Sequence, residues 1–163
     1  MGTEIERKFL VHGDEWRSLG TPVRYRQGYL AADARRSVRI RVAGGGSASS
    51  GRGFITIKGS TEGITRAEYE YEIPFADAQS LIDQLCDRPI VEKTRTKISL
   101  NGVVWEVDEF FGVNQGLIMA EVELKDANQS IDLPPWIGEE VSTDPRYYNS
   151  NLAKHPFTEW QDS

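Results

Sequence analysis

Glu4-Ile5-Glu6-Arg7-Lys8-Phe9-Leu10 opens the chain with two carboxylates and an ammonium at alternate positions. Successive side chains of a β-strand point to opposite faces, so Glu4, Glu6 and Lys8 share one face and Ile5, Arg7 and Phe9 the other. For a single strand the simplest reading is a solvated face; the pattern gains meaning only if it recurs. It does recur. Arg39 and Arg41 alternate with Val38, Ile40 and Val42, Thr56 and Lys58 with Ile55 and Ile57, and Glu68, Glu70 and Glu72 with Tyr69, Tyr71 and Ile73. Further on, Lys93, Arg95 and Lys97 alternate with Thr94, Thr96 and Ile98, Glu106 and Asp108 with Trp105 and Val107, and Glu121 and Glu123 with Ala120, Val122 and Leu124.

Two architectures fit such strands. An antiparallel sheet with one wet face and one packed face is common. Here, however, the charges are sorted by sign strand by strand rather than mixed, and like charges side by side cost energy unless an opposite charge lies between them. Closing the strands into a barrel with the charged faces inward supplies those counter-charges. Such a lumen would hold Lys8, Arg39, Arg41, Lys58, Lys93 and Arg95 as cations, with Glu4, Glu6, Glu68, Glu70, Glu106, Asp108, Glu121 and Glu123 as anions. So many carboxylates are unstable when dry and unpaired. Hard divalent cations such as Mg²⁺ or Mn²⁺ would neutralise all-oxygen ligands. A polyanion would neutralise the bases, because arginine grips phosphate oxygens bidentately. The ligand implied is a polyphosphate carried with metal.

The remaining chain supports a mainly β, α+β protein. Strands are expected over residues 3–11, 23–30, 37–42, 54–58, 66–73, 90–100, 103–108 and 117–124, with a hairpin at Asn101-Gly102. A helical turn is expected over 15–19. Ala78, Leu81, Ile82 and Leu85 recur at helical spacing and predict an amphipathic helix over 76–86. Asp144-Pro145 is an N-cap followed by a first-turn proline, predicting a helix over 145–154 that Pro156 stops. Residues 43–53, rich in Gly and Ser, read as a flexible connection. They are not a phosphate-binding loop, since no Gly-Lys-Ser or Gly-Lys-Thr closes them. No repeat or second unit is visible, so 1–163 reads as one domain.

A net charge of −6 argues against a nucleic-acid binder held by a broad basic field. The single cysteine, Cys86, rules out an intrachain disulfide framework and fits a reducing compartment. No apolar run approaches the ~20 residues that cross a bilayer, and no signal-peptide stretch opens the chain, so a cytoplasmic protein is expected. His12 and His155 flank chain breaks and read as surface residues. Cys86 reads as structural, and Trp16, Trp105, Trp136 and Trp160 as packing residues. Arg24, Arg26 and Lys97 are candidate secondary contacts. The outward apolar residues Ile5, Phe9, Val38, Ile40, Val103 and Trp105 exceed what a few short helices obviously cover, which permits a homodimer without requiring one.

The motif Glu4-x-Glu6-x-Lys8 resembles the ExExK signature of the CYTH superfamily, the triphosphate tunnel metalloenzymes. Arg39-Ile40-Arg41, Thr56-Ile57-Lys58, Glu68-Tyr69-Glu70, Lys93-Thr94-Arg95, Glu106-Val107-Asp108 and Ala120-Glu121-Val122-Glu123 follow in the family's order, over nearly the whole chain. The resemblance implies an eight-stranded antiparallel closed β-barrel, or tunnel, with a few flanking helices and a C-terminal plug helix around Arg146-Tyr147-Tyr148-Asn149. It implies that Lys8, Arg39, Arg41, Lys58, Lys93 and Arg95 hold a triphosphate, and that Glu4, Glu6, Asp108, Glu121 and Glu123 hold Mg²⁺ or Mn²⁺. Catalysis would rest on Glu4, Glu6, Lys8 and Arg41, with Glu68, Glu70 and Glu106 as additional acidic tunnel positions. The activity implied is hydrolysis of inorganic triphosphate by a short stand-alone protein of bacterial type, monomer or homodimer. Alternatives inside the family are a class IV adenylyl cyclase or a thiamine or nucleoside triphosphatase. Outside enzymes, the alternative is a module that binds polyphosphate or nucleotide, against which the full acidic set argues.

Overall fold

The alternating segments fold as antiparallel strands, and the computed structural model describes residues 2–44 and 51–160. Strands β1 (Gly2–Val11), β2 (Pro22–Ala32), β3 (Arg36–Ala43), β4 (Arg52–Gly59) and β5 (Thr65–Ile73) precede helix α1 (Phe75–Gln84). Strands β6 (Val91–Leu100), β7 (Val103–Phe111), β8 (Ile118–Glu123) and β9 (Ile137–Glu140) precede the short helix α2 (Asn149–Lys154). The glycine- and serine-rich connection expected over 43–53 proves to be strand at both margins, and its middle, 45–50, lies outside the described residues.

Hydrogen bonding runs β5-β4-β3-β2-β6-β7-β8-β1, and β1 pairs back onto β5, closing an eight-stranded barrel. The opening strand makes the closure. Its first half pairs with β5 (Gly2↔Glu68 to Ile5↔Thr65) and its second half with β8 (Glu6↔Glu123 to Leu10↔Met119). Strand β9 lies outside the ring against the end of β1; at four residues it is too short to show a periodicity in sequence. The β6–β7 hairpin turns at Asn101 (φ 51°) and Gly102 (φ 81°), both left-handed as a two-residue hairpin loop requires.

Outward faces are apolar and covered. Ile40 and Val42 of β3 pack under Ala78 and Ile82 of α1. That helix sits so close that a Cβ on Gly53 would lie 2.6 Å from the Ala78 Cβ. On the other side Phe9, Ile98, Trp105, Val107, Ala120 and Val122 pack with Trp16 and Trp136. Trp105 meets Phe9 and Trp136 edge-on at 5.6 and 5.9 Å. Phe9, Ile40 and Trp105 are therefore buried within the protomer, so most of the apparent apolar surplus is consumed by long-range packing. Among the large apolar side chains that stay exposed, Ile57 and Tyr69 are cross-strand partners on β4 and β5, with Tyr71 beside them.

One end of the lumen is stoppered. Tyr29, Phe110 and Met119 point inward from β2, β7 and β8 and pack against Tyr147, Leu152 and Ala153. The C-terminal helix expected over 145–154 is broken in two. A single 3₁₀ turn, Pro145–Tyr147, is capped by the Asp144 side chain, which accepts from the Arg146 backbone N–H at 3.1 Å. Tyr148 is then extended (φ −70°, ψ 134°) before α2 begins. Among the described residues no helix is long and apolar enough to cross a membrane.

Candidate functional site: a charged tunnel

The pleat carries one face of every barrel strand into the lumen. A cavity of about 170 Å³ is lined there by Glu4, Glu6, Lys8, Arg39, Arg41, Lys58, Glu68, Glu70, Lys93, Arg95, Glu106, Glu121 and Glu123. Those are the inward positions that strand alternation predicts, with one exception, Asp108. Arg66, Tyr29, Ser37, Asn149 and Ser150 complete the lining. Arg66 shares the phase of Glu68 and Glu70 and was legible as an inward cation; the others carry no sequence signal. Formally seven cations face seven carboxylates, so the tunnel is nearly neutral overall but uneven locally.

One wall is saturated. Register puts Arg95 opposite Asp108. The Arg95 guanidinium donates to both Asp108 oxygens at 2.8 and 2.9 Å, and Lys93 Nζ donates to Oδ2 at 2.7 Å. Asp108 and Lys93 are fully buried. Burial opposes ionisation of Asp108, but Arg95 and Lys93 outweigh it and hold the carboxyl below its ordinary range. As folded, Asp108 is therefore the counter-ion of two tunnel bases. Burial, aided by Arg95 and Arg41, lowers Lys93 to about 7 against the pull of Asp108. Arg41 donates to Gln27 Oε1 at 2.8 Å, and the rings of Tyr25 and Tyr29 belong to the same side of the barrel.

The adjoining wall, where β8 and β1 follow β7, is unbalanced. Glu6 lies directly across from Glu123, and Glu121 directly across from Glu106. Like charges in opposed positions destabilise a sheet. Burial, then the neighbouring Glu121 charge, raises the Glu6 carboxyl to about 8, although Lys8 and Lys58 pull it down. Glu121 behaves oppositely: burial resists its charge, but Lys8, Arg95 and Lys93 hold it well below the carboxylate range. Glu123 is raised by burial and by Glu4 and Glu106.

On the other side of β1 the cations of β4 and β5 reach over to it. Lys58 Nζ donates to Glu4 at 2.9 and 3.1 Å, and Arg66 Nε donates to it at 3.3 Å. Burial opposes the Glu4 charge, but Lys58 and Arg66 prevail and the carboxyl falls to about 2. Glu68, 3.5 Å from Lys58, is raised to about 7 by burial and by Glu4. Arg39 lies 3.5 Å from Glu70 and donates to Thr56 Oγ1 at 3.1 Å. Its buried Nε has no hydrogen-bond acceptor among the described residues, a position that an anionic oxygen would satisfy.

The secondary contacts resolve by face. Arg24 and Arg26 point out of the barrel to Glu92 and Asp83, at 3.4 and 3.1 Å. Lys97 keeps the inward phase but sits at the open mouth, 63% exposed. His12 and His155 are exposed, and Cys86 is buried and free. Among the described residues no three acidic, histidine or cysteine side chains already converge as a ready-made metal cage. Among the described residues, Glu4 and Asp108 are the carboxylates most closely held by tunnel cations. The donor set of Glu6, Glu121, Glu123 and Glu106 nevertheless fits a hard cation, being all oxygen, inward and set against one another by register.

Residues 2–153 match the CYTH domain. Over 162 residues the chain is 49% identical to an inorganic triphosphatase of Acetivibrio thermocellus, covering 99% of this chain and 100% of that one. It is 40% identical over 154 residues to an inorganic triphosphatase of Nitrosomonas europaea, covering 93% and 97% of the two chains. Among solved structures, the crystal structure of an inorganic triphosphatase superposes with a TM-score of 0.61 at 37% identity, over 94% of this chain and 95% of that chain.

Proposed function

The chain belongs to the CYTH domain family, and on that premise we propose that it hydrolyses inorganic triphosphate to pyrophosphate and phosphate in its tunnel, with a divalent metal ion. One observation carries the reading: a lumen whose lining combines seven cations with seven carboxylates, including a wall of opposed acids and a buried Arg39 Nε lacking an acceptor. A tunnel for a neutral ligand has no use for either group, and a plain anion site would not carry the acids. The relatives named inorganic triphosphatase support the same conclusion.

In this reading Lys8, Arg39, Arg41, Lys58, Arg66, Lys93 and Arg95 bind the phosphate oxygens. Their charges are fixed by the barrel, so they stabilise developing charge on the transferring phosphoryl and leaving groups without reorganising. Glu6, Glu121 and Glu123 would hold Mg²⁺ or Mn²⁺, and Glu4, which accepts from Lys58 and Arg66, would be a further oxygen ligand. Glu106, Glu68 and Glu70 are supporting acids that keep Arg95, Lys58 and Arg39 extended into the lumen. Asp108 orients Lys93 and Arg95. When bound, the metal supplies charge neutralisation on the phosphates and acidifies a coordinated water. The apolar stopper of Tyr29, Phe110 and Met119 closes one end, so substrate enters from the other.

All lining residues come from one chain, so a monomer suffices for the site. The proposal takes residues 1–163 as one tunnel domain in the cytoplasm, where the free Cys86 thiol is stable. The test is phosphate release from tripolyphosphate, ATP and thiamine triphosphate with Mg²⁺ or Mn²⁺. Turnover of tripolyphosphate well above the two organic triphosphates is expected; preference for an organic triphosphate, cyclic AMP formation from ATP, or binding without turnover would overturn the assignment.

A further inference from the structure

Two consecutive residues of the C-terminal segment reach opposite walls of the barrel. Tyr148 places its ring 5.2 Å from Lys8 Nζ and 5.9 Å from the Arg66 guanidinium, on the β1–β5 side. Asn149 turns to the β2–β6 side, where its Oδ1 accepts from Lys93 Nζ at 3.0 Å and from Gln27 Nε2 at 3.1 Å. The break at Tyr148 makes this divergence, because its extended backbone separates the 3₁₀ turn from α2 and throws neighbouring side chains in different directions. A continuous helix would point them about 100° apart on one cylinder.

The orientation of the amides follows from the ends of the chain of contacts. Arg41 and Lys93 can only donate. Arg41 Nε therefore requires the Gln27 oxygen, at 2.8 Å. This leaves the Gln27 amide nitrogen to face Asn149, and Lys93 also requires the Asn149 oxygen. The sequence Arg41–Gln27–Asn149–Lys93–Asp108–Arg95 is then one directed network, with Gln27, Lys93 and Asp108 fully buried. With its oxygen used twice, Asn149 has only N–H groups left, and it lines the cavity. Among the described residues that amide nitrogen has no protein acceptor.

We propose that the Tyr148-Asn149 pair is a positioning element that fixes the phosphate-binding cations on both walls, with the Asn149 amide N–H also donating to a phosphate oxygen in the tunnel. This rests on the triphosphatase reading given above. The apolar contacts of Tyr147, Leu152 and Ala153 hold the segment in place; Asn149 therefore acts on geometry rather than on folding. Its oxygen restrains Lys93 directly and Arg41 through Gln27, and Tyr148 covers Lys8 and Arg66.

The test compares wild type with Asn149→Ala, Asn149→Asp, Tyr148→Phe and Tyr148→Leu. The readouts are tripolyphosphate hydrolysis with Mg²⁺ or Mn²⁺, calorimetric binding of tripolyphosphate without metal, and thermal unfolding. Asn149→Ala is expected to lower kcat/KM about 10- to 100-fold, the scale of a small misplacement of reacting groups, with weaker metal-free tripolyphosphate binding and an unfolding midpoint close to wild type. Asn149→Asp keeps an acceptor for Lys93 and Gln27 but puts a carboxylate beside the anion, so its binding should fall further than that of Asn149→Ala. Tyr148→Phe should retain most activity and Tyr148→Leu should not, since the ring face and not the hydroxyl meets Lys8. Wild-type kcat/KM and binding in Asn149→Ala and Tyr148→Leu would overturn the proposal, as would losses that merely track a lowered unfolding midpoint. Absence of tripolyphosphate turnover in the wild type would instead remove the triphosphatase reading on which it stands.

Discussion

The two walls of the tunnel use the same residue types to opposite ends. On the β6–β7 wall, Asp108 is gripped by Lys93 and Arg95 at 2.7–2.9 Å, so these three charges satisfy one another. On the β1–β8 wall, Glu6 faces Glu123 and Glu121 faces Glu106, and the Glu6 carboxyl is raised to about 8. The first wall pairs its charges as folded; the second sets carboxylates against one another. A carboxylate's role is thus set by what register places opposite it. The same distinction separates a residue that builds the tunnel from one that works in it.

The contrast predicts that substitutions on the open wall harm activity and those on the closed wall harm stability. The largest effect should come from Glu6→Gln. It removes a proposed metal carboxylate, so tripolyphosphate turnover should fall at least about 100-fold. The fold should persist or, above about pH 5, gain stability, because the variant no longer has to take up the proton that Glu6 binds on folding. Kinetics and thermal unfolding on the same preparation check both halves.

Asp108→Asn should do the reverse first. It leaves Lys93 and Arg95 buried without their counter-ion, which costs about 3–5 kcal/mol, readable as a lower urea midpoint. Activity then falls as a consequence of displaced bases.

A third prediction concerns pH. Glu6 is raised from 4.5 to about 8 in the folded protein, so the folded state binds more protons than the unfolded one. Its contribution is fully present below the unfolded value and is lost as pH rises through about 8. Lys93, lowered from 10.5 to about 7, acts oppositely: its stabilising contribution is full above 10.5 and is lost as pH falls through about 7. Glu4, lowered to about 2, contributes above 4.5 and loses that contribution as pH falls towards 2. Urea unfolding of wild type against Glu6→Gln isolates the first of these. The stability of the wild type relative to the variant should decline between about pH 5 and 8.

The smallest effect is expected outside the barrel. Arg7 binds Glu140 of β9 through two contacts at 2.7 and 3.0 Å, but both side chains are partly exposed. Glu140→Gln should change stability by under about 1 kcal/mol and leave tripolyphosphate turnover unchanged.

Much of this was legible from the chain because strand alternation has a period of two and fixes faces without any knowledge of partners. The ExExK stretch, the Arg-x-Arg and Glu-x-Glu strands and the Asn-Gly hairpin all declare themselves locally. What escaped depends on pairing across distance. Asp108 has the phase of a lumen acid, but only the β6–β7 register reveals that Arg95 stands opposite. Gln27 and Asn149, 122 residues apart, meet through the plug, and nothing in either neighbourhood marks them. The covering of Phe9 and Trp105 by Trp16 and Trp136 is likewise tertiary. The break at Tyr148 overrode a sound N-cap signal, since Asp144 does cap a turn, but a single one.

The proposed metal-dependent hydrolysis of triphosphate stands on the unbalanced wall. The most direct test is phosphate release from tripolyphosphate by the wild-type protein, with Mg²⁺ or Mn²⁺ and then with excess chelator, beside Glu6→Gln. The account predicts turnover with metal, its loss on chelation and its absence in the folded variant. Hydrolysis that survives chelation, or a Glu6→Gln protein as active as wild type, would contradict it.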